Sequence, residues 1–407
     1  MRPLFSSKYI AAFYLVLMCV AILPLEGWGV SPIKVAAMAL APLVLLIKAP
    51  VLSKAMGWGM LYLLYVVFDL LLQGLPFRSS TVLYLALFLV MFMTYYNLVQ
   101  TGAFTIDFYI KLLKYLLYAF IVCLILQQLV LLAGIRYFPP LNLMGQNFLS
   151  VFRVNSLTWE PSSSARIMAV AFLAFLKTNE IKNGATLTLK ELFGPRHRWL
   201  TLGFLYGMVT MGSGTAFVAL AILCLYFFRK QYIAAIVPIL AVAYLAVPVI
   251  DYEPLNRAVA AIETVLFDDP HRIATEDTSA AVRIKPLINT FTNLDLTDLK
   301  SWFGEGTDAS HKYNIRTRDF DKQMMGGIND YGLVGYILGV ILIATCCLRR
   351  FFSLDTLLLF VLVGLTINNI SYIWGVYMLF VPVKYFYQIY VRENHQSEAH
   401  SYPVGSV

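Results

Sequence analysis

Apolar runs long enough to cross a bilayer recur from near the start of this chain to about Tyr390. A helix needs about 17–25 apolar residues to span a hydrocarbon core of roughly 30 Å. Twelve segments are predicted: 9–25, 31–47, 55–73, 80–98, 112–133, 162–177, 198–211, 215–228, 232–250, one starting near Asp330, 354–369 and 371–390. Segments 198–211 and 215–228 are short, meet at MGSGT, and have a re-entrant hairpin as their alternative reading. Two polar stretches interrupt the pattern, at 135–161 and at Asp251–Asn329. The second is 79 residues long and holds 13 of the chain's 23 acidic residues. Polar stretches of this size stay outside lipid, because unpaired backbone and ionisable groups are costly there.

The expected fold class is therefore an all-α polytopic membrane protein of twelve transmembrane helices, with a large extracytoplasmic loop carrying short helices. It divides into helices over 1–250, the loop 251–329, three helices over 330–390 and a polar, disordered tail over 391–407. Composition agrees: 59% of residues are hydrophobic, 13% are charged and mean hydropathy is +0.72, whereas soluble domains carry about one-quarter charged residues. A net charge of +8 in such a chain speaks for cytoplasmic cations and anionic membrane lipid, not for nucleic acid. The positive-inside rule puts both termini in the cytoplasm, with 17 of the 31 Lys and Arg on that side. The short outer loops then hold only Lys34 and Arg78, and both long loops face outward. The five cysteines all lie in apolar runs and supply neither a disulfide framework nor a zinc site. The N-terminal apolar run lacks a small-residue cleavage site and is expected to be retained.

Chemistry is expected in the two polar stretches. FRVNSLTWEPSSSA places Arg153 seven residues before Glu160, and Pro161 suits the first position of a helix. Arg166 lies in that helix's first turns. A helix N-terminus flanked by two arginines is suited to phosphate. The plainer alternative is that Arg153 snorkels to headgroups and Glu160 pairs with an arginine. In the larger stretch, SAAVRIKP presents Arg283 and Lys285 on a helix returning to the membrane surface. WFGEG supplies Gly304 and Gly306, which permit close backbone approach. His311 follows, a general-base candidate that could equally be a solvated loop histidine. His271, after Asp269 and Pro270, reads as a turn residue. Gly332, Gly335 and Gly339 fall on one helix face and are expected to pack against another helix. No P-loop, HExxH or GxSxG with triad partners is present. Neither a metal nor a cofactor is expected.

FRVNSLTWEPSSSA, MGSGTAFVAL, VRIKP…WFGEG and NDYGLVGYILG, in this order and with this helix count, resemble the Wzy-type polysaccharide polymerases and the related O-antigen ligases. Gly214 stands where many members carry arginine, and Asn314 lies three residues after His311 where the ligases have His followed by Asn. The resemblance implies a metal-independent glycosyltransferase of the bacterial inner membrane, with catalytic loops in the periplasm. Its donor would be an undecaprenyl-pyrophosphate-linked oligosaccharide, and a flippase and a chain-length regulator of the same pathway its partners. It implies Arg153, Arg166 and Arg283 as a pyrophosphate clamp, aided by Lys285, Gly304 and Gly306, with Glu160 or His311 as base. O-antigen ligase is the first alternative. A lipid-linked oligosaccharide flippase is disfavoured, because few charges fall within helices.

Overall fold

The computed structural model describes residues 6–21, 31–48, 50–73, 80–135, 151–227, 256, 278–314 and 317–401. Among these residues all regular structure is helical, with no strand. The helices are α1 (Ser7–Cys19), α2 (Pro32–Ile47), α3 (Lys54–Gln73), α4 (Ser80–Gln100), α5 (Ile106–Leu132), α6 (Pro161–Asn183) and the short α7 (Leu189–Leu192). They continue as α8 (Arg198–Thr210), α9 (Gly214–Cys224), α10 (Thr278–Asn293), α11 (Leu299–Phe303), α12 (Ile328–Cys347), α13 (Leu354–Val363) and α14 (Ser371–Ser401). Four stretches are long and apolar enough to cross a membrane: α3, α4, α5 and Met325–Cys347, which contains α12. α1, α2, α13 and Gly214–Phe227 are apolar but shorter. The predicted helix at 232–250 and His271 lie outside the described residues.

Helix limits follow local chemistry where caps are strong. Pro161 opens α6, and Gly184 (φ 68°) closes it six residues beyond the predicted end. α5 begins at Ile106, six residues before the predicted start, because the Thr105 side chain accepts from Phe108 N–H at 3.3 Å. The run expected at 354–369 breaks early. Gly364 (φ 69°) ends α13 after ten residues, and Leu365–Ile370 leads irregularly into α14.

α6 and α14 form the centre. α6 is buried almost continuously from Ser162 to Leu176, as is α14 from Ile373 to Val383. A helix that is apolar on every side needs neighbours on every side, and α14 packs against α6, α1, α4 and α12. α2 and α3 lie at the perimeter, where Leu40, Leu43, Leu46, Leu64, Phe68 and Leu71 stay exposed. Exposed apolar residues of this kind are the surface lipid would cover.

The helices alternate between two ends. One end gathers the segments 151–160, 278–314, 317–327 and 364–370. The other is rich in cations: Lys182 pairs with Asp107, Lys177 with Glu180 at 3.0 Å, and Arg349 with Asp355 at 2.7 Å. Asp355 is fully buried, and its second oxygen has no hydrogen-bond partner among the described residues. Removing one side of a buried pair strands the other charge. Arg349→Met is therefore expected to cost about 3–5 kcal/mol, read as a lower unfolding midpoint of the detergent-solubilised protein.

His197 sits at the same end, just before α8, 5% exposed and edge-on to Phe175 at 5.4 Å. Burial foremost, then Lys114 and Arg196, push its imidazole down to about 4, against an opposing pull from Glu191. The unfolded chain, with an ordinary value of about 6.5, takes up this proton first. Stability from this group is complete above about pH 6.5 and is lost as pH falls toward 4. His197→Phe keeps the ring and removes the titration. The variant should lose less of its unfolding midpoint than wild type between pH 7 and pH 4.5.

Candidate functional site

The irregular end is built from two walls. In the first, the turn leading into α6 is held from behind by α5. Ser156, with φ 51°, donates from its N–H to Gln127 Oε1 at 2.7 Å and from its hydroxyl to Phe120 O at 2.7 Å. Gln127 Nε2 donates to Ser156 O at 3.0 Å. Ser164 donates to Asn155 O at 2.6 Å and lies 2.8 Å from the Thr158 hydroxyl. This buried polar lattice is closed around the turn, so it fixes where α6 starts.

Glu160 precedes α6 with an exposed carboxylate that accepts from Ser162 Oγ at 2.9 Å. Arg153 is exposed in the same segment. Its seat is Gly212 (φ 64°) in the MGSGT turn, where an added Cβ would lie 1.8 Å from Phe152 O. The turn between α8 and α9 therefore supports the first polar loop through close backbone approach. Arg166, one and a half turns into α6, donates to the Tyr372 hydroxyl at the start of α14. Its guanidinium lies 5.5 Å from the Tyr372 ring centre, and its Nε is buried without a hydrogen-bond partner among the described residues.

The second wall is α10, the GxG turn and the start of α12. Gly304 and Gly306 meet the chain around Asp330 backbone to backbone: Glu305 N–H donates to Asn329 O at 2.8 Å and Gly306 N–H to Asp330 O at 3.1 Å. Gln73 at the end of α3 donates to Gly304 O at 3.3 Å, and Tyr65 to Tyr331 O at 2.7 Å. Asp308, at φ 72° and 8% exposed, accepts from the Thr81 hydroxyl of α4 at 2.9 and 3.0 Å. His311 Nε2 lies 3.7 Å from Asp308 Oδ1, and the imidazole is half exposed. Tyr313 donates to Glu305 at 2.8 Å; burial foremost, then Glu305, pushes its phenol up to about 12, so it stays a donor.

The sequence-derived candidates thus fall into two groups at one end. Arg153, Glu160 and Arg166 line the first wall, and Gly304, Gly306 and His311 the second. Lys285 is committed elsewhere: it is 7% exposed, pairs with Asp321, and lies 5.3 Å from the Phe320 ring centre. Arg283 lies on α10, and its side chain is outside the described residues. The link Gly364–Ile370 ties the second wall to α14. Tyr336 donates to Gly364 O at 3.1 Å, Gly326 abuts Thr366, and Tyr377 donates to Thr366 O at 2.9 Å.

Three polar residues here are not among the sequence-derived candidates. Asp69 of α3, 1% exposed, lies beside Gln73 and Asp330. Lys34 of α2, 6% exposed, donates to Ser371 Oγ at 2.9 Å. Tyr372 receives Arg166. An ionisable residue inside an apolar run, as Asp69 is, was a readable signal. Lys34 and Tyr372 carried none, because each matters only through a residue hundreds of positions away. No protein-family model, no curated protein and no solved structure matches this chain.

Proposed function

We propose that the chain is a polymerase of lipid-linked oligosaccharide repeat units in the bacterial inner membrane. On this reading twelve helices span the bilayer, both termini are cytoplasmic, and the two polar loops form the periplasmic active face. The donor is an undecaprenyl-pyrophosphate-linked glycan, and the product is O-antigen, capsular or exopolysaccharide. The observation that carries the reading is Arg166. Its guanidinium is partly buried at the loop end of an apolar bundle, donates to a tyrosine hydroxyl, and forms no ion pair among the described residues. A cation kept there without a carboxylate is suited to an anion that arrives with the substrate.

In the proposed reaction an acceptor hydroxyl oxygen attacks the anomeric carbon of the donor sugar. The carbon–oxygen bond to pyrophosphate breaks, and its electron pair leaves with the pyrophosphate. Arg153, Arg166 and Arg283 stabilise that growing charge. Glu160 or His311 takes the hydroxyl proton, a contribution worth about 10²–10⁴-fold in general-base catalysis. Asp308, pinned by Thr81, is placed to orient His311. An O-antigen ligase would use the same donor with a lipid A core acceptor. The test is a glycan gel of cells lacking this chain. Single-repeat product is expected. Unattached polymer would reassign the chain as a ligase, and wild-type polymer would reject both readings.

A further inference from the structure

At the cation-rich end of the bundle, α6, α7 and the start of α8 enclose a cavity of about 240 Å³. Asn179 and Asn183 line it from the last turns of α6, Glu191 from α7, and Leu187 and Gly194–His197 from the turns on either side of α7. Its volume is below the roughly 300–1,000 Å³ of sites that enclose drug-sized molecules, so it suits a small polar group. His197 is 5% exposed, and its Nδ1 is buried without a hydrogen-bond partner among the described residues. An unmet polar nitrogen in a cavity wall calls for a partner from outside them.

The charge around this cavity is positive. Lys111 and Arg196 lie beside Asp107, and Lys114 and Arg196 lie beside His197. Lys114 Nζ is 5.7 Å from the centre of the Phe175 ring that His197 meets edge-on. The neighbouring carboxylates are already engaged. Asp107 pairs with Lys182, and Glu191 accepts from the Thr188 N–H at 2.7 Å and from its hydroxyl at 2.8 Å. Lys111, Lys114 and Arg196 form no ion pair among the described residues. Arg196 is on the cavity wall itself, and its guanidinium is a planar fork suited to phosphate.

The cavity also sits at the head of an apolar stripe. Two residues beyond His197, Trp199 is 67% exposed, with the Arg198 guanidinium 4.9 Å from its ring centre. Leu202, Tyr206 and Val209 follow at helical spacing on the same face of α8, and all are exposed. Tryptophan settles at the bilayer interface, where its apolar body and polar edge are both accommodated. A stripe that starts at that level is where acyl chains lie, and the cavity beside it is at headgroup depth.

We infer that the corner of α6, α7 and α8 is a binding site for an anionic glycerophospholipid. The headgroup occupies the cavity with its phosphate on Arg196, and the acyl chains follow the Trp199–Val209 face. Lys111 and Lys114 add attraction for the net negative charge. A zwitterionic headgroup brings a cation of its own into a positive corner and is disfavoured. The site uses none of the residues assigned to glycan transfer.

The test titrates the full chain, solubilised in detergent, with phosphatidylglycerol or phosphatidylcholine and counts bound lipid by native mass spectrometry. Phosphatidylglycerol is expected to bind at least about tenfold more tightly, and Arg196→Gln to remove about tenfold of that affinity, the scale of one charge-assisted contact. Asn183→Asp adds a carboxylate to the wall at an exposed position and should weaken binding as well. Lys190→Gln removes an exposed cation of α7 that does not line the cavity, and should leave binding unchanged. Wild-type affinity in Arg196→Gln or Asn183→Asp, with the unfolding midpoint retained, overturns the site. A loss in Lys190→Gln equal to that in Arg196→Gln overturns it too, because the attraction would then be diffuse. Equal affinity for phosphatidylcholine removes the selectivity for anionic lipid. Glycerol phosphate binding as tightly as phosphatidylglycerol overturns the lipid assignment in favour of a soluble phosphate.

Discussion

Gly332→Ala is expected to cost about 3–5 kcal/mol and to release the GxG turn from the bundle. Gly332 has φ 65° and ψ −175°, a region that is close to glycine-only. A Cβ there would lie 2.2 Å from Trp302 O and 2.5 Å from Gly304 N, both backbone atoms that cannot rotate away. Gly304 mirrors it, with φ 80° and ψ −171°, and its Cβ would lie 2.3 Å from Asp330 O. Two extended left-handed glycines packed back to back thus clamp the second wall onto α12. Because they meet each other directly, Gly304→Ala and Gly332→Ala should be far from additive in the double variant. Gly57 in α3 is the control: nothing lies within 4 Å of its Cβ position, so alanine there should be neutral or stabilise by roughly 0.5–1 kcal/mol. Unfolding midpoints and proteolytic cleavage between Leu299 and Asn314 read the difference.

On the proposed polymerase reading, Arg166→Ala is expected to lower chain extension by about 10²–10³-fold or more, the scale of losing one preorganised donor to a developing anion. Its structural cost is small by comparison. The substitution removes one hydrogen bond to Tyr372 and the cation–ring contact beside it, about 1 kcal/mol each. The two effects are therefore separable. A fall in polymer length that merely tracks a fall in folded protein would make Arg166 a packing residue. Arg166→Lys should remain poor, because a lysine cannot offer the planar fork to a phosphate. Tyr372→Phe frees the guanidinium without removing it, so polymerisation should survive there and fail in Arg166→Ala. The assay is polymer length on glycan gels, normalised to inserted protein.

How far these features could be read from the chain differs by element. The limits of α2, α3, α4, α8 and α9 lie within a few residues of the apolar runs that predicted them, because a helix in an apolar setting is set by a continuous stretch and its flanking caps. The pairing of FRVNSLTWEPSSSA with the start of α6 was readable for the same reason, since Pro161 and the serines are local devices. The break after Val363 was less so: the Gly364 stop lies in sequence, but the apolar run passes through it.

The site needed the tertiary structure. Lys285 stood out in sequence as a cation on a helix face, and the fold pairs it with Asp321. Gly304 and Gly306 were readable as a permissive turn, but their partner, the chain around Asp330, lies more than twenty residues away. Lys34 and Ser371 are separated by 337 positions, and Arg166 and Tyr372 by 206. Composition and apolar period alone determined that this is a helical chain with stretches suited to a membrane. Only the packing decided which cations have no counter-charge among the described residues, because that depends on what each helix end meets across the bundle, and local pattern carries no record of it.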